Sequence, residues 1–129
     1  MSDRRSVETD SFAHENPIPV ATRIGPMLIS GIIPAYDPGT RNLPTDLEAQ
    51  VGNLFTHIGQ ALTNGGGTWD DVAKITFFTN AANARPLVNP FWVERFPDPD
   101  SRPSRHTQLI PNDAAPSISC EFIAWIADA

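Results

Sequence analysis

The sequence predicts an α+β domain: a mixed sheet carrying two helices on one face, in the order ββ-α-β-α-ββ. Three observations predict it. Apolar residues recur at helical spacing from Val51 to Leu62. Short segments rich in β-branched and aromatic residues stand between clusters of turn formers. Helical segments alternate with extended ones, and an extended pair stands at each end, a pattern that packs helices against one side of a sheet. At 129 residues, 40% of them apolar, the chain is sized for one domain with a real core.

Residues 1–16 are polar apart from Val7, Phe12 and Ala13. They read as a polar N-terminal arm, and the domain is expected over 17–129. Ile18 to Ile24 is a short extended segment whose prolines suit an edge strand. Gly25-Pro26 turns the chain into Met27 to Ile33, which is apolar on both faces and reads as a buried strand. A loop over 34–40 follows.

The first helix is the clearest element. Thr45 and Glu48 have capping-box spacing. Val51, Leu54, Phe55, Ile58 and Leu62 then share a face, and Asn64-Gly65-Gly66-Gly67 stops the helix. These glycines follow a helix and lack a phosphate-binding lysine, which argues against a phosphate loop. Val72 to Thr79 reads as a strand. A second helix lies within 82–96, and Asn89-Pro90 either starts it or breaks it, because proline suits only a first turn. Its core face is either Phe91, Val93 and Phe96, or Trp92 and Phe96. After a stiff loop over 97–103, Arg105 to Ile110 and Ser117 to Ala127 read as two strands joined across 111–116.

The last strand places Ile118, Cys120, Phe122, Ala124 and Ile126 on one face, and Ser119, Glu121, Ile123 and Trp125 on the other. Two helices cover only one side of a sheet. Another subunit is the simplest cover for the second.

Composition excludes several functions. Nine basic residues against fifteen acidic leave a net charge of −6, which argues against a nucleic-acid partner. No apolar run approaches membrane-spanning length, and no secretory signal core follows Met1, so neither a membrane partner nor export is expected and the cytoplasm is the expected location. One cysteine, Cys120, excludes an internal disulfide and is expected to be a buried apolar residue. His14, His57 and His106 show no ligand spacing, so no metal is expected. Trp69, Trp92 and Trp125 are expected to be packing residues. The basic residues are eight arginines and a single Lys74, and arginine suits bidentate carboxylate recognition.

Glu121 beside Ile123 and Trp125 is a carboxylate among apolar neighbours, whose pKa would rise if it were desolvated. If 111–116 closes a hairpin, Arg105 lies opposite Glu121 within one or two residues. That pair is either a plain cross-strand ion pair or a substrate-carboxylate anchor beside a general acid/base. His106 points away from Arg105 on a regular strand, and no serine is spaced to complete a triad.

These residues occur within a larger ordered set: Ser30-Gly31-Ile32-Ile33-Pro34, Glu48-Ala49-Gln50 in the helix, Asp70-Asp71-Val72-Ala73-Lys74, Asn89 with Phe96-Pro97, Arg102-Pro103-Ser104-Arg105, and Glu121-Phe122-Ile123-Ala124. The set resembles the reactive-intermediate deaminase family, also called RidA or YjgF-like, over about residues 17–127. The resemblance implies a chorismate-mutase-like α+β fold, a homotrimer with sites between subunits, and no metal or organic cofactor. It implies an enamine/imine deaminase, of the 2-iminobutanoate/2-iminopropanoate type, which hydrolyses small 2-amino-unsaturated acids such as 2-aminoacrylate to 2-keto acids and ammonia. The family's arginine falls on Arg105 and its glutamate on Glu121. Ser30, Gly31 and Thr107 would line the pocket through backbone groups, and Asn89 would support it.

Two departures bear on activity. Thr107 replaces a cysteine common in the family, and still supplies backbone contacts. Ile18 stands near the place of an aromatic residue, a change that bears on substrate range. The alternatives are therefore a pathway-specific deaminase or hydrolase of a larger unsaturated amino acid, or a non-catalytic ligand-binding or chaperone-like trimer.

Overall fold

The computed structural model describes residues 3–127; residues 1–2 and 128–129, the outer ends of the expected arm and domain, lie outside the described residues. The elements are β1 (Arg5–Val7), β2 (Ala21–Ile24), β3 (Met27–Ser30), β4 (Ile33–Pro34), α1 (Leu47–Gly65), β5 (Val72–Thr79), α2 (Ala84–Arg95), β6 (Ser104–Leu109) and β7 (Ile118–Trp125). The strands form one mixed sheet in the order β1-β2-β3-β7-β5-β6, with β4 also pairing β7. The expected ββ-α-β-α-ββ core is present, with β1 added at one edge and β4 continuing the line of β3.

The two final strands are not neighbours, which corrects the expected hairpin. β6 pairs only with β5, in parallel, and β7 lies on the other side of β5, antiparallel to it. The chain leaves β5, crosses through α2 and returns beside it, the crossover that parallel pairing requires. Residues 110–117 then pass over the C-terminal end of β5. The Ile110 N–H donates to the Thr79 carbonyl, the Thr79 hydroxyl donates to the Ser117 carbonyl, and Asn80 Nδ2 donates to the Ala114 and Ala115 carbonyls. Side-chain character agrees with this order. Ser104-Arg105-His106-Thr107-Gln108 is too polar for the middle of a sheet, whereas β7 buries Ile118, Cys120, Phe122 and Ala124.

Both helices pack on the face that carries Leu28, Ile75, Phe77, Cys120 and Phe122. α1 contributes Val51, Leu54, Phe55, Ile58 and Leu62, the stripe read from periodicity. Its N-cap is Asp46 in place of Thr45: the Asp46 carboxylate accepts from the Ala49 N–H at 3.2 Å. Gly66 ends it in the left-handed region at φ 90°. α2 runs continuously through Pro90, so neither reading of Asn89-Pro90 holds. Tertiary packing carries the helix past the proline: Phe91 stacks on Phe55 at 5.7 Å, and Trp92 meets Phe96 edge-on at 4.8 Å. Trp92 and Phe96 are the buried pair, and Val93 is exposed.

The described part of residues 1–16 is folded onto the domain, not loose. β1 pairs with β2, and Val7, Ser11 and Phe12 are buried. Glu8 accepts from the Val20 N–H, and the Ser11 hydroxyl meets His57 Nδ1 at 2.8 Å. His57 is fully buried and its Nε2 donates to the Tyr36 carbonyl, also at 2.8 Å.

The opposite sheet face has no cover among the described residues. Ile29, Ile123 and Trp125 are 37%, 40% and 62% exposed there. This is the face that the alternation of the last strand assigned to a second layer. Cys120 lies on the helix-covered face and is buried, and burial pushes its thiol well above the ordinary range. Trp69 and Trp92 pack as expected, whereas Trp125 belongs to the open face.

Candidate functional site

The parallel register fixes which way Arg105 points. Arg105 aligns with Ile75, and Ile75 aligns with Phe122, so all three face the helices. Glu121 aligns with Thr76, one residue out of phase, and faces the open side. The expected cross-strand neighbours are therefore two strand spacings apart, roughly 10 Å, and on opposite faces. An ion pair within one protomer is excluded, because β5 lies between them.

Each residue instead anchors its own cluster. At the sheet edge, Arg105 Nη2 donates to Asn89 Oδ1 at 2.9 Å, and its guanidinium lies 5.1 Å over the Trp92 ring. Edge placement of β6 leaves Arg105 half-buried between sheet and α2. Burial, and then the neighbouring Arg85, hold its pKa below the ordinary arginine value. Thr107, two residues further along the same face, lines a pocket of about 150 Å³ with Thr79, Ala81, Ala82, Arg85 and Leu109. The arrangement joins three of the expected residues: Arg105, Asn89 and Thr107. A guanidinium held this way can bind an anion, because its donors form a planar fork that matches a carboxylate.

On the other face, Glu121 lines a hollow of about 120 Å³ with Ile29, Ser30, Lys74, Thr76, Phe122 and Ile123. A β-bulge shapes it. Ile29 pairs with Ile123 and Ile33 with Cys120, so four steps on one strand match three on the other. The Phe122 N–H donates to Ser30 Oγ at 2.9 Å, where a regular ladder would supply a carbonyl. Gly31 is exposed at the bulge, its N–H bonded to the Val20 carbonyl. Within one protomer nothing crowds it; the nearest atom to an added Cβ is His14 Nε2 at 4.0 Å. Ile18 is exposed, and His106 points away from Arg105 and meets Gln108. A cluster of metal-ligating side chains is absent among the described residues.

Sequence reasoning missed Arg85, Lys74 and Thr76. Arg85 carries a readable signal, since it stands one helical turn before Asn89. Lys74 and Thr76 become visible only once β5 is known to lie beside Glu121.

The fold and the two clusters define a class: a two-layer α+β protein with an arginine held at one sheet edge and a carboxylate on a bare sheet face. The chain belongs to the endoribonuclease L-PSP family, the RidA/YjgF family, whose model matches residues 11–121. Solved structures share the fold closely. The YjgF gene product of Escherichia coli is 22% identical, with 94% of this chain and 98% of that chain covered and a TM-score of 0.80. RidA from the Antarctic bacterium Psychrobacter is 21% identical, covering 95% and 99%, with a TM-score of 0.83. Yeast Mmf1 is 13% identical, covering 96% and 99%, also at 0.83. None of the curated proteins matches the sequence. The described residues include no helix long and apolar enough to cross a membrane.

Proposed function

We propose that this protein is an enamine/imine deaminase that hydrolyses small 2-amino-unsaturated acids to 2-keto acids and ammonia. It works as a homotrimer, with each site formed between two subunits. The observation that carries this reading is the separation of Arg105 from Glu121 on opposite faces of one sheet. Each residue is open toward solvent and supported by neighbours of its own chain, so the two converge only when the edge of one copy meets the open face of another.

The chemistry follows from the groups. Protonation at the β-carbon converts an enamine to its imine. Arg105 of one subunit holds the substrate carboxylate by two N–H···O bonds, which sets the imine carbon in place. Glu121 of the neighbouring subunit takes a proton from water as its oxygen bonds to that carbon. Glu121 returns that proton to nitrogen, then carries the hydroxyl proton to the same nitrogen as the C=O bond forms and the C–N bond breaks, leaving ammonia and the 2-keto acid. Asn89 is a positioning residue that orients Arg105. Backbone groups of Ser30, Gly31 and Thr107 line the cleft. The family model carries an endoribonuclease's name, but a net charge of −6 disfavours a phosphate backbone as ligand.

The test is release of ammonia and keto acid from freshly generated 2-aminoacrylate. Acceleration over buffer is expected. No acceleration sinks the reading for this substrate class, and an Arg105→Ala protein of unchanged rate removes the anchor role.

A further inference from the structure

We propose that Arg85 and Arg105 form a two-guanidinium clamp that selects substrates bearing a second carboxylate. The favoured substrates are then imines of dicarboxylic amino acids of roughly four or five carbons, a length set by one helical turn and two strand residues. This inference rests on the deaminase reading and deepens it.

Position comes first. Arg85 and Asn89 are one turn apart on α2, and Asn89 holds Arg105. Thr107 is two residues from Arg105 on the same face of β6, and it shares a pocket with Arg85. Helix and strand thus run past each other with Asn89 beside Arg105 and Arg85 beside Thr107. Arg85 lines the pocket at the sheet edge, and Arg105 stands beside it, two residues from Thr107 on the same face.

Charge is the second observation. Neither arginine has a carboxylate within ion-pair distance among the described residues, unlike Arg41, which pairs with Glu15, and Arg95, which meets Glu94. Arg85 is close enough to lower the pKa of Arg105. It also sits in the first turn of α2, where the helix dipole favours an acid. That turn has no acidic residue, and its cap, Asn83, makes no side-chain bond. Three like-signed contributions therefore meet in a cleft where one carboxylate would neutralise only Arg105. A second carboxylate answers Arg85.

The test compares two product analogues by titration calorimetry on the assembled protein: 2-oxobutyrate, with one carboxylate, and 2-oxoglutarate, with two. The wild type is expected to bind 2-oxoglutarate about tenfold more tightly, the worth of one charge-assisted contact. Arg85→Gln brings that ratio near one, Arg85→Lys retains part of it, and Arg105→Gln weakens both acids. Equal wild-type affinities, or a ratio unmoved by Arg85→Gln, overturn the clamp and leave the deaminase reading standing. A change of oligomeric state in Arg85→Gln, read by light scattering, assigns Arg85 to a subunit contact and also overturns it. Binding of neither acid, or full binding of 2-oxobutyrate by Arg105→Gln, overturns both readings.

Discussion

Glu121 and His57 show how differently a titratable side chain behaves on the two faces of this sheet. Glu121 is half-exposed in its hollow, where removing the charge leaves the packing in place. Glu121→Gln is expected to lower the deamination rate by roughly 10²–10⁴-fold while keto-acid binding persists, as steady-state rates and calorimetry together would show. His57 is sealed between the arm and the loop after β4. Burial holds its pKa below the ordinary value, the Tyr36 hydrogen bond opposing that only in part. The neutral ring is therefore the folded form. The unfolded chain binds the proton more readily, so stability is full above about pH 6.5 and falls as pH drops below it. Denaturant midpoints between pH 7.5 and 5 are expected to decline, and His57→Gln should flatten that decline. An equally steep decline in the variant would assign it to other groups.

At the level of elements, helix ends carry more specificity than helix middles. The α1 C-terminus is closed by Gly66, whose N–H turns back on the Leu62 and Thr63 carbonyls, and by Arg23, whose Nη1 donates to the Gly65 carbonyl at 2.6 Å. A Cβ on Gly66 would lie 2.7 Å from that same Nη1 and would hold an L residue at φ 90°. Gly66→Ala is expected to cost about 1–2 kcal/mol, read from urea midpoints. Loss of Arg23 as a partner to the last carbonyls would add to that cost. The α1 stripe, its glycine stop and strand β5 were legible in the sequence because each is a local pattern of spacing or composition. The position of β6 was not legible. A polar six-residue strand before a turn-rich segment reads equally as half of a hairpin or as the far end of a crossover. Thr79 and Asn80, a strand away, decide between the two.

For the whole molecule, the bare sheet face and the proposed division of the site between subunits lead to one expectation: activity needs assembly. Ile123→Glu places a charge on that face and is expected to yield monomers by light scattering, with deamination lost alongside. A sharper check mixes two inactive variants, Arg105→Ala and Glu121→Ala, after joint refolding. Random assembly restores both residues at about a quarter of the interfaces, so about a quarter of the wild-type rate should return. No recovery would place both residues in a site of one subunit, which the sheet geometry opposes. The same expectation explains why Gly31 has room within the protomer: whatever approaches it comes from outside.

Local pattern in the chain was enough for the periodic elements, the helix-covered core with its inert Cys120 and the bare face of the last strand, which follow from spacings of two and about 3.6 residues. Arg105 and Glu121 stood out as candidates from their strand positions, whereas Asn89 and Thr107 entered only through the family resemblance. Long-range folding was needed to show that β5 lies between Arg105 and Glu121, that the arm seals His57, that Pro90 sits inside a helix, and that Arg85 stands near Arg105. Each depends on which segments pair or pack across long stretches of chain. Strand order is chosen by burial of the whole sheet, and a strand's own residues say which face each side chain takes but not which strand will be its neighbour.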